Sequence, residues 1–188
     1  MNNLNYPCEF HMLDCVDSTN NFAKSIRDFN IPQIVIAKEQ TSGRGTKGRS
    51  FFSAAGKGLY MSILFKPEMS LDDIMSLTVR TGECIRSVLE NYTSGDFVVK
   101  PVNDVYLNGK KVCGILTEAD TVGVGKFERI IVGIGINCFE QEFPDEIKDI
   151  AGWIEDPKKD FTIDELAADI INAFFALVLP NAPVPSDH

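Results

Sequence analysis

A short glycine-rich loop holds the residues of this chain that are best suited to binding anions. Residues 43–50, GRGTKGRS, contain three cations and three glycines, and no acid occurs between Glu39 and Glu68. Glycine lets the backbone turn its N–H groups inward, and Lys and Arg neutralise phosphate through charge-assisted hydrogen bonds. The loop therefore predicts a polyphosphate site, although an exposed turn with incidental cations is the commoner origin of such a stretch.

The glycine loop comes close to the P-loop pattern G-x-x-x-x-G-K-[ST], with Arg49 in place of the lysine. A P-loop must open a helix, because the first N–H groups of that helix hold the phosphates. The residues that follow here, FFSAAGKGLYMSIL, contain two more glycines and then a strand pattern. We therefore expect the loop to bind phosphate in some other way.

Three more motifs follow the loop, and one precedes it. They are DSTN at 17–20, KPVNDVY at 100–106, KKVCGILTE at 110–118 and GIGIN at 133–137. Together with GRGTKGR, in this order and over about residues 10–140, they make the chain resemble the catalytic domain of biotin protein ligases. The resemblance implies a single α+β domain over residues 1–188, class II synthetase-like, with a mixed, mostly antiparallel sheet flanked by helices.

The activity that the resemblance implies is that of an ATP-dependent biotin–[acetyl-CoA-carboxylase] ligase. Such an enzyme joins biotin and ATP, with Mg²⁺ accompanying the nucleotide, into biotinyl-5′-AMP. It then transfers biotin to a lysine of a biotin carboxyl carrier protein. Cations between the biotin carboxylate and the α-phosphate would lower their Coulomb repulsion and stabilise charge on phosphorus in the transition state.

Four residues match the catalytic positions of that family. The resemblance implies that Arg44 and Lys111 bridge carboxylate and phosphate, that Lys100 adds positive field, and that Asp104 steers or deprotonates the carrier lysine. From the residues alone, Lys111 reads as an exposed hairpin lysine beside Lys110. Asp104 alone reads equally well as half of a turn-forming Asn-Asp pair.

The same resemblance implies two sets of substrate contacts. The implied biotin contacts are Ser18, Thr19, Gln40, Gly43, Arg44, Lys111 and Gly114. The implied ATP contacts are Lys47, Arg49, Phe51, Asn103 and Asn137. Ser18 and Thr19 also suit a helix cap, Phe51 suits a core position, and both asparagines suit loops. No cluster of His, Cys and Asp predicts a metal held by the protein.

The chain departs from the family pattern in three places. Thr46 stands where the glycine loop has a second basic residue, so we expect one phosphate or adenylate contact to be missing and the intermediate to be held less tightly. Pro101 and Val102 replace a Trp-Pro pair. We also expect neither the small β-barrel domain that follows the family's catalytic domain nor a DNA-binding helix-turn-helix before it. A non-catalytic biotin-binding protein and a lipoate or octanoate transferase are the alternatives; the basic loop disfavours the second.

Hydrophobic periodicity predicts the elements that must position these residues. A capped, amphipathic pattern predicts helices, β-branched runs predict strands, and Asn108-Gly109 predicts a type I′ hairpin in a sheet of at least five strands. The predicted helices cover 17–29, 70–92 and 162–179, the last opened by a Thr162–Glu165 capping box. The predicted strands cover 31–40, 59–65, 97–100 and 127–138, besides the two hairpin strands within 104–119.

Composition excludes several function classes. A formal net charge of −9 argues against nucleic-acid binding, and the longest apolar run, IIVGIGINCF, is about half of a membrane span. Five cysteines without a C-x-x-C pattern predict free, mostly buried thiols in a reducing compartment. No secretory signal is visible in the sequence, so we expect a soluble cytoplasmic protein with a frayed C-terminal end. A homodimer is left open.

Overall fold

The computed structural model describes residues 4–100, 104–123 and 126–179. Its elements in chain order are β1 (Glu9–Val16), α1 (Thr19–Ser25), β2 (Gln33–Gln40), β3 (Gly58–Phe65), α2 (Leu71–Leu89), β4 (Phe97–Lys100), β5 (Asp104–Leu107), β6 (Lys110–Gly123), β7 (Lys126–Asn137) and α3 (Ile163–Val178). The seven strands form one sheet in the order β1-β2-β3-β7-β6-β5-β4. Within the described residues β1 and β2 are the parallel pair, and every other neighbouring pair is antiparallel.

Most of the predicted elements are confirmed, with two corrections. The hairpin turn has positive φ at both Asn108 (50°) and Gly109 (78°), as a type I′ turn requires. Helix α1 is shorter than predicted, because the backbone is already extended at Ile26. Strand β1 was not predicted, since it lies at the edge of the sheet and only half-buries its side chains.

The two faces of the sheet bury different residues because side chains alternate along a strand. On β2, Ile34 and Ile36 enter the large core, whereas Val35 belongs to a small cluster with Ala23 of α1. Helices α2 and α3 cover the large core. We call the opposite side, on which α1 packs, the α1 face.

Helices α2 and α3 are held on the sheet by fully buried apolar side chains. Leu77 and Ile85 of α2 and Phe174 of α3 are completely enclosed, and the rings of Phe65 and Phe174 lie 5.7 Å apart. Burying a side chain of this size contributes about 1.5–3 kcal/mol. The predicted capping box at Thr162 is confirmed, with both reciprocal hydrogen bonds to Glu165 present. The face of the sheet under α2 and α3 is therefore filled by the large core, whereas the α1 face carries only a small apolar cluster.

The cysteines are all free thiols, as predicted. Burial raises the pKa of Cys84 to about 11 and that of Cys138 to about 12, so both stay protonated at neutral pH. Cys15 is the exception to the expected burial, since it is exposed at the end of β1.

Among the described residues, no helix is both long enough and apolar enough to span a membrane.

Candidate functional site

A cavity of about 440 Å³ opens on the α1 face. This volume falls within the range of small-molecule sites. Its walls come from five parts of the chain: the start of α1, the end of β2, the glycine loop with the residues after it, strands β6 and β7, and the segment 143–151. The site is therefore assembled from residues that lie far apart in sequence.

Glycines form the floor of the cavity. Gly114 of β6 and Gly135 of β7 are paired across the sheet, and both face the ring of Phe51. A Cβ at Gly135 would lie 2.5 Å from that ring, and one at Gly114 would lie 3.1 Å from it. Phe51 also meets Tyr60 edge to face, at 6.4 Å between ring centroids. Because Gly114 and Gly135 have no side chains, the ring of Phe51 can pack directly against the backbone of the sheet.

A β-bulge brings Lys111 to the cavity. Val105 of β5 pairs with Cys113 of β6, and the next residue of β5, Tyr106, pairs with Lys111. Val112 therefore has no partner on β5 and is the extra residue of the bulge. Without the bulge, Lys111 would share the core face with Cys113 by simple alternation. With it, Lys111 lies on the α1 face and lines the cavity.

Lys111 is held by Asp104 in an ion pair. Its Nζ lies 2.7 Å from Oδ1 of Asp104, and the two side chains are only 23% and 15% exposed. That Oδ1 accepts no hydrogen bond from the residues that the structure describes, so its contact with Lys111 is an ion pair without a well-aligned hydrogen bond. Lys111 is therefore a half-buried, positioned cation and not the exposed hairpin lysine that the residues alone suggested.

The glycine loop folds into a single 3-10 turn, not into the mouth of a helix. The turn spans Thr46–Gly48, Lys47 has φ 56° and Gly48 has φ 74°, and the N–H of Gly45 donates to the carbonyl of Arg49 at 2.7 Å. The chain then runs through irregular backbone into β3. The expectation that this is not a P-loop is confirmed.

The cations of the glycine loop have separate partners. Arg44 Nη1 donates to Glu118 Oε2 at 3.0 Å and to Asn21 Oδ1 at 3.1 Å. Arg49 donates from Nη2 to the hydroxyl of Thr46 at 2.9 Å. Arg44 and Arg49 line the cavity, whereas Lys47 is exposed beside it.

One end of the cavity is polar and lies at the start of α1. Gln40 Oε1 accepts from the backbone N–H of Thr19 at 2.9 Å and from its hydroxyl at 3.1 Å, while Gln40 Nε2 donates to Ser53 at 2.8 Å. Gln40 is thus occupied in orienting Thr19. Ser18 is the N-cap residue of α1, but its side chain makes no capping hydrogen bond. Ser18 is buried and lines the cavity.

Asn20 and Glu118 are site residues to which the motifs gave no role. Asn20 accepts from Ser62 at 2.6 Å and donates to Glu118 Oε2 at 2.9 Å, and Glu118 Oε1 accepts from Lys24 at 2.6 Å. Burial works to raise the pKa of Glu118, but the hydrogen bonds from Lys24 and Asn20 outweigh it and hold that pKa below its ordinary value. Alternation along β6 is the signal that could have found Glu118, since it shares a face with Gly114.

Asn137 anchors the segment that closes the cavity. Its Nδ2 donates to the carbonyl of Gly152 at 2.8 Å, and the N–H of Lys111 donates to the carbonyl of Ile150 at 2.7 Å. The buried Oδ1 of Asn137 has no hydrogen-bond partner among the described residues. An unpaired buried acceptor costs about 1–3 kcal/mol, so this atom marks a place where a donor from a ligand would be favourable.

The structure brings most, but not all, of the predicted residues to the cavity wall. Those that line it are Ser18, Thr19, Gln40, Arg44, Arg49, Phe51, Lys111, Gly114 and Asn137. Those that do not are Gly43, Lys47, Lys100 and Asp104. Lys100 places its ammonium 3.8 Å from the ring centroid of Tyr106. Asn103, with Pro101 and Val102, lies outside the described residues, as do residues 180–188.

Gly133 leads to a prediction about the integrity of the site. A Cβ at this position would lie 2.2 Å from Oδ1 of Asn20. Gly133→Ala should therefore displace Asn20 from its buried hydrogen bonds and destabilise the fold by about 1–3 kcal/mol. Thermal unfolding should show a midpoint lower by about 2–12 °C. In the double variant with Asn20→Ala the clash is gone, so a loss equal to the sum of the two single losses would contradict this explanation.

Comparison with known proteins places the chain in a family. The model of the Biotin/lipoate A/B protein ligase family matches residues 12–137. The bifunctional ligase/repressor BirA of Bacillus spizizenii is 36% identical over 142 residues, which cover 73% of this chain and 43% of that protein. The chain therefore spans less than half the length of this relative.

Solved structures agree with the family model. Biotin protein ligase from Aquifex aeolicus, in complex with biotin and ATP, superposes with a TM-score of 0.69 at 32% identity, covering 90% of this chain and 70% of that one. The Leishmania major enzyme, in complex with biotinyl-5-AMP, gives a TM-score of 0.72 at 26% identity, covering 92% and 75%.

These matches confirm the predicted fold class, a mixed, mostly antiparallel sheet flanked by helices, as that of biotin ligase catalytic domains. The family model covers the glycine loop, the bulged hairpin and the glycine floor together. The chain belongs to the Biotin/lipoate A/B protein ligase family.

Proposed function

We propose that the chain is the catalytic domain of an ATP-dependent biotin–protein ligase. The observation that carries this proposal is the arrangement of two cations from separate elements, Arg44 and Lys111, on the wall of one cavity. Each is held by its own carboxylate partner, Glu118 and Asp104. Such a cavity suits a reaction between two anions, which repel each other until cations lie between them.

In the first step an oxygen of the biotin carboxylate attacks the α-phosphorus of ATP, and pyrophosphate leaves. The product is the mixed anhydride biotinyl-5′-AMP. Arg44 and Lys111 hold the two anions together and stabilise the negative charge that builds on the phosphoryl oxygens. Because these cations are already positioned, little reorganisation is needed at the moment of reaction.

In the second step the amine of a carrier lysine attacks the acyl carbon of biotinyl-5′-AMP. The carbon–oxygen bond to phosphate breaks, AMP leaves, and biotin is joined to the carrier through an amide. Asp104 forms an ion pair with Lys111, and we place the incoming carrier ammonium next to this carboxylate. A carboxylate there can orient the lysine and accept its proton. The biotin carboxyl carrier protein is the proposed partner.

The nucleotide is proposed to lie against Phe51 and Asn137. Phe51 offers a ring on which a base can stack, and the unpaired Oδ1 of Asn137 can accept an N–H from that base. Arg49, at the cavity wall, supplies charge for the phosphates. The described residues contain no cluster of His, Cys, Asp and Glu able to hold a metal ion. Mg²⁺ would arrive on the phosphates of ATP, where it neutralises their charge.

Biotin is proposed to place its ureido ring at the polar end of the cavity. The hydroxyl of Ser18 is not used by the helix cap, and the hydroxyl of Thr19 is oriented by Gln40. Lipoate has no ureido group and needs no such polar end. This feature favours biotin over lipoate within the family to which both kinds of ligase belong.

The direct test is product analysis. The chain is incubated with biotin, ATP and Mg²⁺, and biotinyl-5′-AMP is sought by mass spectrometry, with lipoate replacing biotin in a parallel reaction. The proposal predicts biotinyl-5′-AMP and little lipoyl-AMP. Preference for lipoate would contradict the proposal and indicate a lipoate or octanoate transferase. Binding of biotin without formation of any adenylate would contradict it and indicate a non-catalytic biotin-binding protein.

Thr46 yields a second prediction, about how well the intermediate is retained. Its hydroxyl and carbonyl both accept from Arg49, and it adds no charge of its own. Thr46→Arg should add a cation to the loop and slow the release of biotinyl-5′-AMP by roughly 3- to 10-fold, about 0.7–1.4 kcal/mol. Thr121→Arg places the same charge on the exposed part of β6, away from the cavity, and should leave the release rate unchanged. Equal slowing in both variants would indicate a general charge effect and contradict the prediction.

A further inference from the structure

We propose that Glu118 is a positioning residue that fixes Arg44 with one edge of its guanidinium turned to the substrates. The inference rests on the proposed function, because it concerns how Arg44 meets the reacting anions. None of the sequence motifs gave Glu118 a role.

The hydrogen bonds of Arg44 are concentrated on one nitrogen. Nη1 donates to Glu118 at 3.0 Å and to Asn21 at 3.1 Å, whereas Nε and Nη2 have no partner among the described residues. Nε and Nη2 form the side edge of a guanidinium, which matches the two oxygens of a carboxylate or phosphate. The contacts therefore leave a complete bidentate edge available while they hold the rest of the group.

Glu118 can hold Arg44 because it is itself held. Oε2 accepts from Asn20 at 2.9 Å, and Oε1 accepts from Lys24 at 2.6 Å. Asn20, in the first turn of α1, is buried and accepts a hydrogen bond from Ser62 of β3, so the carboxylate is connected to the sheet. The Glu118 side chain is 20% exposed. A carboxylate held by Asn20 and Lys24 thus fixes the exposed loop residue Arg44 relative to the sheet.

Lys24 makes the arrangement tolerant of substrate binding. When substrate anions bind Arg44 and weaken its ion pair with Glu118, the Lys24 ammonium still lies 2.6 Å from Oε1 of Glu118. The half-buried carboxylate is then never left without a counter-ion, a situation that would be costly. Lys24 thus lets Arg44 interact with substrate without destabilising the residue that positions it.

The alternative is that Glu118 forms ordinary ion pairs that only stabilise the fold. The same strand provides a matched comparison. Asp120 lies two residues further on the same face and binds Arg129 Nε at 2.6 Å, away from the cavity. The side chain of Asp120 is 46% exposed and that of Arg129 is 14% exposed. A purely structural Glu118 should behave like Asp120 when its charge is removed.

The experiment compares the wild-type chain with Glu118→Gln, Asp120→Asn, Arg44→Ala and the double variant Glu118→Gln/Arg44→Ala. The first measurement is the ¹⁵N NMR signature of the Arg44 guanidinium. Restricted rotation about its Nε–Cζ bond is expected in the wild type and in Asp120→Asn, and free rotation in Glu118→Gln.

The second measurement is biotin-dependent pyrophosphate exchange. Glu118→Gln should lower kcat/KM about 10-fold, and Asp120→Asn should change it less than 2-fold.

The double variant decides whether Glu118 acts through Arg44. It should be no slower than Arg44→Ala alone, because a positioning residue has nothing left to position. Additive losses, or restricted Arg44 rotation in Glu118→Gln, would overturn the inference. If the wild type shows no exchange, the proposed function fails and the NMR comparison alone decides the role of Glu118. Should Glu118→Gln not fold, Glu118→Asp withdraws the carboxylate from Arg44 while keeping its charge, and serves in its place.

Discussion

Lys111→Ala should lower the rate of biotinyl-5′-AMP formation by roughly 10²–10³-fold, the usual cost of removing one preorganised electrostatic group from an active site. The physical reason is that the bulge at Val112 places this ammonium on the cavity wall, where it can lie between two anions. The rate is measured in single-turnover reactions with saturating biotin and ATP. Thermal unfolding is measured in parallel, because removing Lys111 leaves the Asp104 carboxylate, which is only 15% exposed, without its counter-ion and should lower the stability of the fold.

Lys110→Ala is the matched control for this experiment. Lys110 has the same side chain one residue earlier, but its Nζ donates to the carbonyl of Asp149 at 2.6 Å, and it does not line the cavity. Its replacement should change the rate less than 2-fold. Equal losses in the two variants would show that the hairpin, and not the Lys111 charge, is what matters.

Asp104→Asn should separate the two steps of the reaction. Transfer of biotin to the carrier lysine should fall by roughly 10²-fold or more, since a general base contributes about that much. Formation of biotinyl-5′-AMP should fall less than 10-fold, because Asn is isosteric and Lys111 stays on its strand. The two rates are measured separately, adenylate formation without carrier and transfer from preformed adenylate with carrier. Equal losses in both steps would contradict the assigned role and make Asp104 a support for Lys111 alone.

The sequence predicted the family and most of the secondary structure, but not the geometry of the candidate site. The glycines and cations of GRGTKGR predicted an anion site, which stays a prediction. The order of the motifs predicted the family that the family model confirms. The helix caps and the Asn108-Gly109 turn were predictable because their signals are local. The edge strand β1 was not, since it carries little burial pattern.

The rest of the site depends on long-range packing. The face on which Lys111 lies is set by a one-residue bulge, and a bulge has no reliable local signature. The link from Glu118 to Arg44 spans 74 residues, and the wall at 143–151 is fixed by contacts with Lys111 and Asn137. Such contacts follow from the folded sheet and not from any short pattern.

The most direct measurement of the central claim is exchange of labelled pyrophosphate into ATP by this chain, with and without biotin. Exchange reports reversible formation of an acyl-adenylate and needs no carrier protein. We expect exchange that requires biotin, is not supported by lipoate, and is lost in Lys111→Ala but kept in Lys110→Ala. Absence of exchange, or exchange that proceeds equally well without biotin, would contradict the claim that this cavity activates biotin with ATP.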